Sequence, residues 1–372
     1  MKNYIDAILL GICENLQLST SLYDMANKRY NTIADILQND AIFKDIDIKI
    51  YPHGSFRLKT TVKPLKNNEF DLDFVAELPK NSIMNPKELY DHIFQILRHD
   101  GIHNEKVELK SRCIRVNYAN DFHMDIMPAK LINEATSEII VPDKELSGWY
   151  HHSNPKGFAD WFENQARNSF MKEMSRTAYS KFDVESISEQ EMAAKLEPLR
   201  RAVQLVKRYR DIYCDKHKTE PVRSIILCTL MGKITNFAGD TLQIISSFCF
   251  YVINLIKENS CKPFDVFNPV VDEILTEKWH EGNNYGDFVS MMKSLSNDVS
   301  RLMRCTNNQD ANRLTKEMFG ETITNLAITN YAKKINASRK SGELSVDSSG
   351  TLNTLGNGVS IKKNTFYGDD KA

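Results

Sequence analysis

The sequence predicts an α+β fold in which a mixed sheet with helices is joined to an all-helical lobe. Short runs at 46–51, 70–74 and 122–127 alternate apolar and polar residues, the period of a half-buried strand. From about Pro198 to Lys334 the apolar spacing is instead helical almost throughout. After about Asn336, Ser, Gly, Asn and Thr dominate, a composition with too little apolar surface to fold alone. The expected division is therefore a first lobe over 1–170, a helical lobe over 171–336 and a flexible tail over 337–372.

Composition narrows the class. The chain has 372 residues, 41% hydrophobic and 26% charged, with a formal net charge of −1. Near-neutral charge argues against a constitutive nucleic-acid binder and gives no clear nucleic-acid activator. The seven cysteines are scattered without a C-x-x-C pair, which supports neither a zinc ribbon nor a redox motif and fits a reducing cytoplasm. The most apolar segment, near 242–256, is interrupted by Gln243, Ser246, Ser247 and Asn254, so no membrane span is expected. The N-terminus has no basic-then-apolar signal.

The elements follow in order. Residues 4–18 read as an apolar helix. A second helix starts at Thr20 or Ser21 and carries Leu22, Met25, Ala26, Ile33, Ile36 and Leu37 on one stripe. These two helices are expected to span and brace both lobes. The strand 46–51 runs into Pro52-His53-Gly54-Ser55, read as a tight turn whose glycine permits close backbone approach. In 70–74, Phe70, Leu72 and Phe74 face a core while Asp71 and Asp73 share the other face. Asn85-Pro86 starts a helix. Strands are expected over 107–117 and 122–127, the latter ended by Pro128. A helix begins at Ser153-Asn154-Pro155, and 171–195 reads as a linker. The helix from Pro198 sets Arg200, Gln204, Lys207 and Asp211 along one face, either solvated or presenting Lys207 to a phosphate. Arg223 and Ser224 open the next helix, where free N–H groups and the helix dipole favour an anion. Trp279 and Met291-Met292 read as packing residues.

The chemistry concentrates on one constellation. Two adjacent carboxylates repel unless a cation lies between them. That suits Mg²⁺, which takes one or two carboxylates plus phosphate oxygens; Mn²⁺ is the second candidate. Asp125 supplies a third carboxylate on a strand that otherwise alternates into a core. Asp71, Asp73 and Asp125 together match a two-metal clamp for in-line phosphoryl transfer, with Asp125 also placed to assist proton removal. Gly54 and Ser55 read as a phosphate-holding turn only through their spacing from these carboxylates.

Several runs together resemble the cGAS/DncV-like nucleotidyltransferases (CD-NTases) of bacterial CBASS anti-phage systems. They are Tyr51-Pro-His-Gly-Ser-Phe-Arg-Leu with Glu69-Phe-Asp-Leu-Asp-Phe, Asn120-Asp-Phe-His-Met-Asp-Ile-Met-Pro, Ser153-Asn-Pro-Lys-Gly-Phe, Pro198-Leu-Arg-Arg-Ala-Val-Gln-Leu-Val-Lys, Ser224-Ile-Ile-Leu-Cys-Thr-Leu and Asn268-Pro-Val. The resemblance implies a DNA-polymerase-β-like nucleotidyltransferase lobe joined to a helical lobe, with nucleotides bound in the cleft. It implies synthesis of a cyclic di- or trinucleotide messenger from nucleoside triphosphates, ATP and also GTP, UTP or CTP, with release of pyrophosphate. By position, Asp71, Asp73 and Asp125 would hold Mg²⁺, while Gly54, Ser55, Lys207 and Ser224 would hold the triphosphate. The messenger would reach a downstream effector, and an E1/E2-like partner would conjugate the C-terminus. One position departs from the pattern: the family often has glycine where this chain has Lys59. Glu69 is a further carboxylate on the acidic strand, with Asp71 and Asp73 preferred for their apolar flanks. Two other readings remain at this stage, a template-independent tailing or protein-modifying nucleotidyltransferase and a catalytically silent nucleotide sensor.

Overall fold

The computed structural model describes the chain except residues 66–69, 102, 119–121, 146–149, 169–191, 235–239, 347–351, 354–358 and 361–372. Its contacts divide into two units, Met1–Asn15 with Ser300–Ala372, and Leu16–Val299. The two ends of the chain thus group together, an arrangement absent from a linear division into successive segments. The 66–68 loop, Glu69 and most of the 171–195 linker lie outside the described residues.

The first part of the chain runs α1 (Lys2–Leu16), α2 (Thr20–Gln38), β1 (Lys49–Pro52), α3 (Gly54–Arg57), β2 (Phe70–Leu78), α4 (Pro86–His99), β3 (Val107–Leu109), β4 (Ile114–Tyr118), β5 (Phe122–Asn133), β6 (Glu138–Pro142) and β7 (Tyr150–Ser153). Then come α5 (Pro155–Asn168), α6 (Pro198–His217), α7 (Ser224–Gly232), α8 (Thr241–Glu258), α9 (Asn284–Met303), α10 (Asn308–Phe319) and α11 (Glu321–Ser341). Short strands β8 (Ser345–Val346), β9 (Leu352–Asn353) and β10 (Val359–Ser360) pair as a small antiparallel sheet. Within 337–372, helix therefore continues to Ser341 and strand pairing follows it.

The main sheet is mixed, in the order β1-β2-β5-β4-β3, with β6 pairing β5 and β7 pairing β6. Only β2 and β5 run parallel; the other pairs are antiparallel. One face is covered by α2 and α4. Tyr30, Ile33 and Leu37 of α2 and Leu89, Tyr90, Ile93 and Leu97 of α4 pack on Leu72, Phe74, Met124 and Ile126. The amphipathic pattern of α4 is fixed at its start, where Asn85 and Glu88 form a reciprocal capping box ahead of Pro86. Because side chains alternate along a strand, burying Phe70, Leu72 and Phe74 under these helices turns Asp71 and Asp73 to the opposite face.

Two strand expectations are corrected. Strand β5 does not end at Pro128 but continues to Asn133. Pro128 falls between the stretch of β5 paired with β4, ending at Ile126, and the stretch paired with β6, starting at Lys130. A missing N–H is tolerated where that edge has no partner strand. The single strand expected over 107–117 is two, because Lys110 N–H donates to the Cys113 carbonyl in a turn.

Behind the sheet, α5 is tied to it through a buried carboxylate. The Tyr51 hydroxyl donates to Glu77 (2.6 Å), and the Lys156 ammonium lies 3.5 Å from the same carboxylate and 3.8 Å from the Tyr51 ring. Trp279 packs among Phe264, Tyr285 and Phe288, and Met291 and Met292 are buried, as expected of packing residues. In the other unit, Tyr4 donates to Asn312 (2.7 Å) and meets Tyr331 edge-on. Among the described residues no helix is long and apolar enough to cross a membrane.

Candidate active site

The parallel pairing of β2 and β5 sets Asp73 directly opposite Asp125, with Asp71 two residues along on the same face. The antiparallel pairing of β5 and β4 then sets Arg115 opposite Asp125. Asp73, Asp125 and Arg115 thus form one row across three strands. The Arg115 guanidinium forks onto Asp125, from Nε to Oδ1 and from Nη2 to Oδ2, both at 2.7 Å, and Nη2 also donates to Asp71 at 3.2 Å.

Three carboxylates in one place are strained by one another. Burial, with Asp125 and Asp71 adding repulsion, pushes the Asp73 carboxyl up to about 8. Asp71 is raised too, chiefly by burial, although 54% of its side chain is exposed. A single guanidinium leaves this cluster short of positive charge, and its donors are all hard oxygens. That donor set fits Mg²⁺ or Mn²⁺. Among the described residues, no three carboxylate, imidazole or thiolate groups converge tightly enough to enclose an ion. Arg115 stands among the carboxylates, so an ion held by all three would have to displace it.

Beside the carboxylates, the turn after β1 is pinned to β2. His53 N–H donates to the Asp73 carbonyl (2.9 Å), and the following residues form the single helical turn α3. Phe56 anchors that turn in an aromatic row with Tyr23, Phe70, Phe122 and Tyr118. Gly54 has φ +63°, and a Cβ there would lie 2.3 Å from Asp73 Oδ2. Glycine is required both by the left-handed conformation and by the carboxylate against it. His53 is half-buried, and desolvation lowers its imidazole to about 4 and keeps it neutral.

Gly54, Ser55, Lys207 and Ser224 line one cavity of about 200 Å³, with His53, Asn154 and Glu273 among its other walls. The structure therefore brings together all four residues expected to hold phosphate. The carboxylates are not on that lining; they adjoin it through Gly54. A larger cavity of about 350 Å³, bordered by Arg223 and Trp279, contains none of the seven expected site residues.

The helical contribution differs from a solvated basic face. Arg200, Gln204, Lys207 and Arg208 are all buried. Lys207 donates to the Thr60 carbonyl (2.9 Å), and burial lowers its ammonium to about 8. Ser224 is held at the start of α7 by Arg210, which donates to its hydroxyl (3.0 Å) and to the Val222 carbonyl (2.9 Å). Asn154 caps α5, accepting from Gly157 N–H (2.8 Å) and donating to the Thr136 carbonyl (2.8 Å).

Sequence reasoning missed Arg115. Its signal was present: with the 118–122 hairpin closed, counting back along the strands sets 115 opposite 125. Arg210 was also missed as the support of Ser224; helical spacing alone does not reveal a partner on another helix.

A mixed sheet presenting paired carboxylates beside a Gly-Ser turn, with helices closing a cavity over that turn, defines a nucleotidyltransferase. Comparison with known proteins agrees. Residues 5–166 match the model of the Second Messenger Oligonucleotide or Dinucleotide Synthetase domain. The chain is 30% identical to a c-di-GMP synthase of Roseivirga ehrenbergii over 99% of its own length and 98% of that protein's. It is 26% identical to the cyclic dinucleotide synthase CdnG of Bradyrhizobium diazoefficiens over 56% of this chain and 53% of that one. In fold it is similar to the structure of Bradyrhizobium diazoefficiens CdnG in complex with GTP, with TM-score 0.69, 21% identity, and 88% and 99% of the two chains covered. It is also similar to Vibrio cholerae DncV cyclic AMP-GMP synthase, with TM-score 0.57, 15% identity and 87% of each chain covered. The chain belongs to the cGAS/DncV-like nucleotidyltransferases and is a cyclic oligonucleotide synthase.

Proposed function

We propose that this enzyme joins two GTP molecules into c-di-GMP, releasing pyrophosphate, and that the reaction depends on a divalent cation held by Asp71, Asp73 and Asp125. The guanine preference rests on the likeness to the c-di-GMP synthase over nearly the whole of both chains. The site assignment rests on one observation, the β2–β5 register that sets Asp73 opposite Asp125 with Asp71 on the same face.

Mg²⁺ or Mn²⁺ held by these carboxylates would supply charge for the triphosphate and lower the pKa of the attacking hydroxyl. The protein's own groups do the rest. Ser55 and the Gly54 backbone hold the donor phosphates beside the carboxylate row. Lys207 meets them from α6 as an ammonium, and Ser224 meets them at the N-terminal end of α7. Asp125 accepts the proton of the attacking ribose hydroxyl. The product signals to a downstream effector in anti-phage defence, a role supported by the family membership. Conjugation of the C-terminus by an E1/E2-like partner extends the same reading; residues 361–372 lie outside the described residues.

The test is mass spectrometry of the product formed from all four ribonucleoside triphosphates with Mg²⁺, alongside Asp71→Asn/Asp73→Asn. A ring of two guanylates that disappears in the double variant, with folding intact by circular dichroism, is expected. Another base composition overturns the guanine reading. Persistent pyrophosphate release in the double variant overturns the site.

A further inference from the structure

The polar face of α6 spends its donors on a single stretch of backbone. Arg200 donates to the Leu58 carbonyl, Lys207 to Thr60 (2.9 Å), Gln204 to Thr61 (3.0 Å) and Arg208 to Lys63 (2.7 Å). All four side chains are at most 5% exposed. The strap 58–63 has neither helix nor strand structure to satisfy these carbonyls, so α6 does it. Three of the four donors carry positive charge and all work away from water, which makes the bonds strong and directional.

The strap in turn holds Ser55. Thr60 N–H donates to the Ser55 carbonyl (2.9 Å), and the Thr61 hydroxyl donates to the Ser55 hydroxyl (3.3 Å). Lys59, just before them, sits at φ +54°, so the chain turns sharply where it leaves α3. Gln204 of α6 therefore holds the backbone of Thr61, the residue whose hydroxyl reaches the Ser55 hydroxyl.

We propose that Gln204 and Arg208 are positioning residues for triphosphate binding: through the strap they fix Ser55, so α6 sets the phosphate turn of the catalytic sheet as well as contributing Lys207. This rests on Ser55 holding phosphate, and the experiment separates the two claims. Neither side chain needs to touch the ligand. Their loss is read in affinity for the triphosphate and not in affinity for the nucleoside.

The test is calorimetric titration of a non-hydrolysable GTP analogue and of guanosine into the full chain. Gln204→Leu is expected to weaken the analogue about tenfold, as a displaced Ser55 loses its hydrogen bond to the charged phosphate, with guanosine affinity unchanged. Arg208→Met behaves likewise, and Arg208→Lys, which keeps a cationic donor for the Lys63 carbonyl, recovers most of the loss. Ser55→Ala also weakens the analogue, and adding Gln204→Leu to it brings no further loss, because the two act in series. Additive losses, or equal losses for guanosine and the analogue, overturn the proposal. So does a Gln204→Leu chain that binds normally while Ser55→Ala does not. If Ser55→Ala binds the analogue normally, the phosphate role of Ser55 fails and this proposal with it. Should Gln204→Leu not fold, the Arg208→Met and Arg208→Lys pair decides alone.

Discussion

Arg115 and Asp125 face each other across neighbouring antiparallel strands, joined by two hydrogen bonds of 2.7 Å. The guanidinium therefore occupies the space a cation would take among the three carboxylates. Arg115→Gln is expected to raise Mn²⁺ affinity at least about tenfold, since an ion no longer competes with a fixed positive charge. In metal-free buffer the same variant loses about 1–3 kcal/mol of stability as the carboxylates lose their partner. Mn²⁺ titration by electron paramagnetic resonance and thermal melting check both. Unchanged Mn²⁺ affinity would show that Arg115 does not compete with the ion.

Gly54 tolerates no side chain. Gly54→Ala places a Cβ against the Asp73 carboxylate and strains a positive φ, which costs about 1–3 kcal/mol. Relief by moving the turn displaces Ser55, and a shift of about 1 Å is enough for roughly a hundredfold loss of turnover. Pyrophosphate release together with the melting temperature reads both effects. Wild-type turnover in this variant contradicts the close approach of Gly54 and Asp73.

Lys59 has a backbone that suits glycine better than lysine. At φ +54° an ordinary side chain is disfavoured. Lys59→Gly is expected to stabilise the fold by about 0.5–1 kcal/mol once glycine's own entropy is subtracted, or roughly 1–3 °C in Tm. Differential scanning calorimetry without nucleotide measures it. A lower Tm would mean that the lysine side chain contributes more than its backbone strain costs.

Triphosphate affinity should bend near pH 8. Lys207 is lowered to about 8 by burial, so below that pH the ligand meets an ammonium already charged. Above it, binding must first recruit a proton, and affinity falls with a limiting slope of about tenfold per pH unit. Titrating a GTP analogue between pH 7 and pH 9 gives the profile. Lys207→Met should bind more weakly and lose the bend. A bend that persists in that variant belongs to another group.

Much of this site is legible in sequence because strands and caps obey local rules. The alternation of 70–74 orients Asp71 and Asp73, and Asn85-Pro86 announces α4. The pairing of Asp73 with Asp125 is not local, since it depends on which strands become neighbours. The burial of Arg200, Gln204 and Arg208 is hidden for a related reason. Their partners are backbone carbonyls of 58–63, and carbonyls are present at every residue whatever the side chain. Pro128 misled because proline disfavours strands only where its N–H is needed, and β5 passes it at an unpaired edge.

The parallel pairing of β2 with β5 also bears on synthesis of the chain. Between the two strands lie α4, β3 and β4, all of which emerge from the ribosome before Asp125 does. A nascent chain stopped after β2 carries Asp71 and Asp73 but lacks the strand that completes the row. If these carboxylates act as proposed, an amino-terminal fragment that ends before β5 is expected to be inactive, and so is one that ends before α6 and α7 supply Lys207 and Ser224.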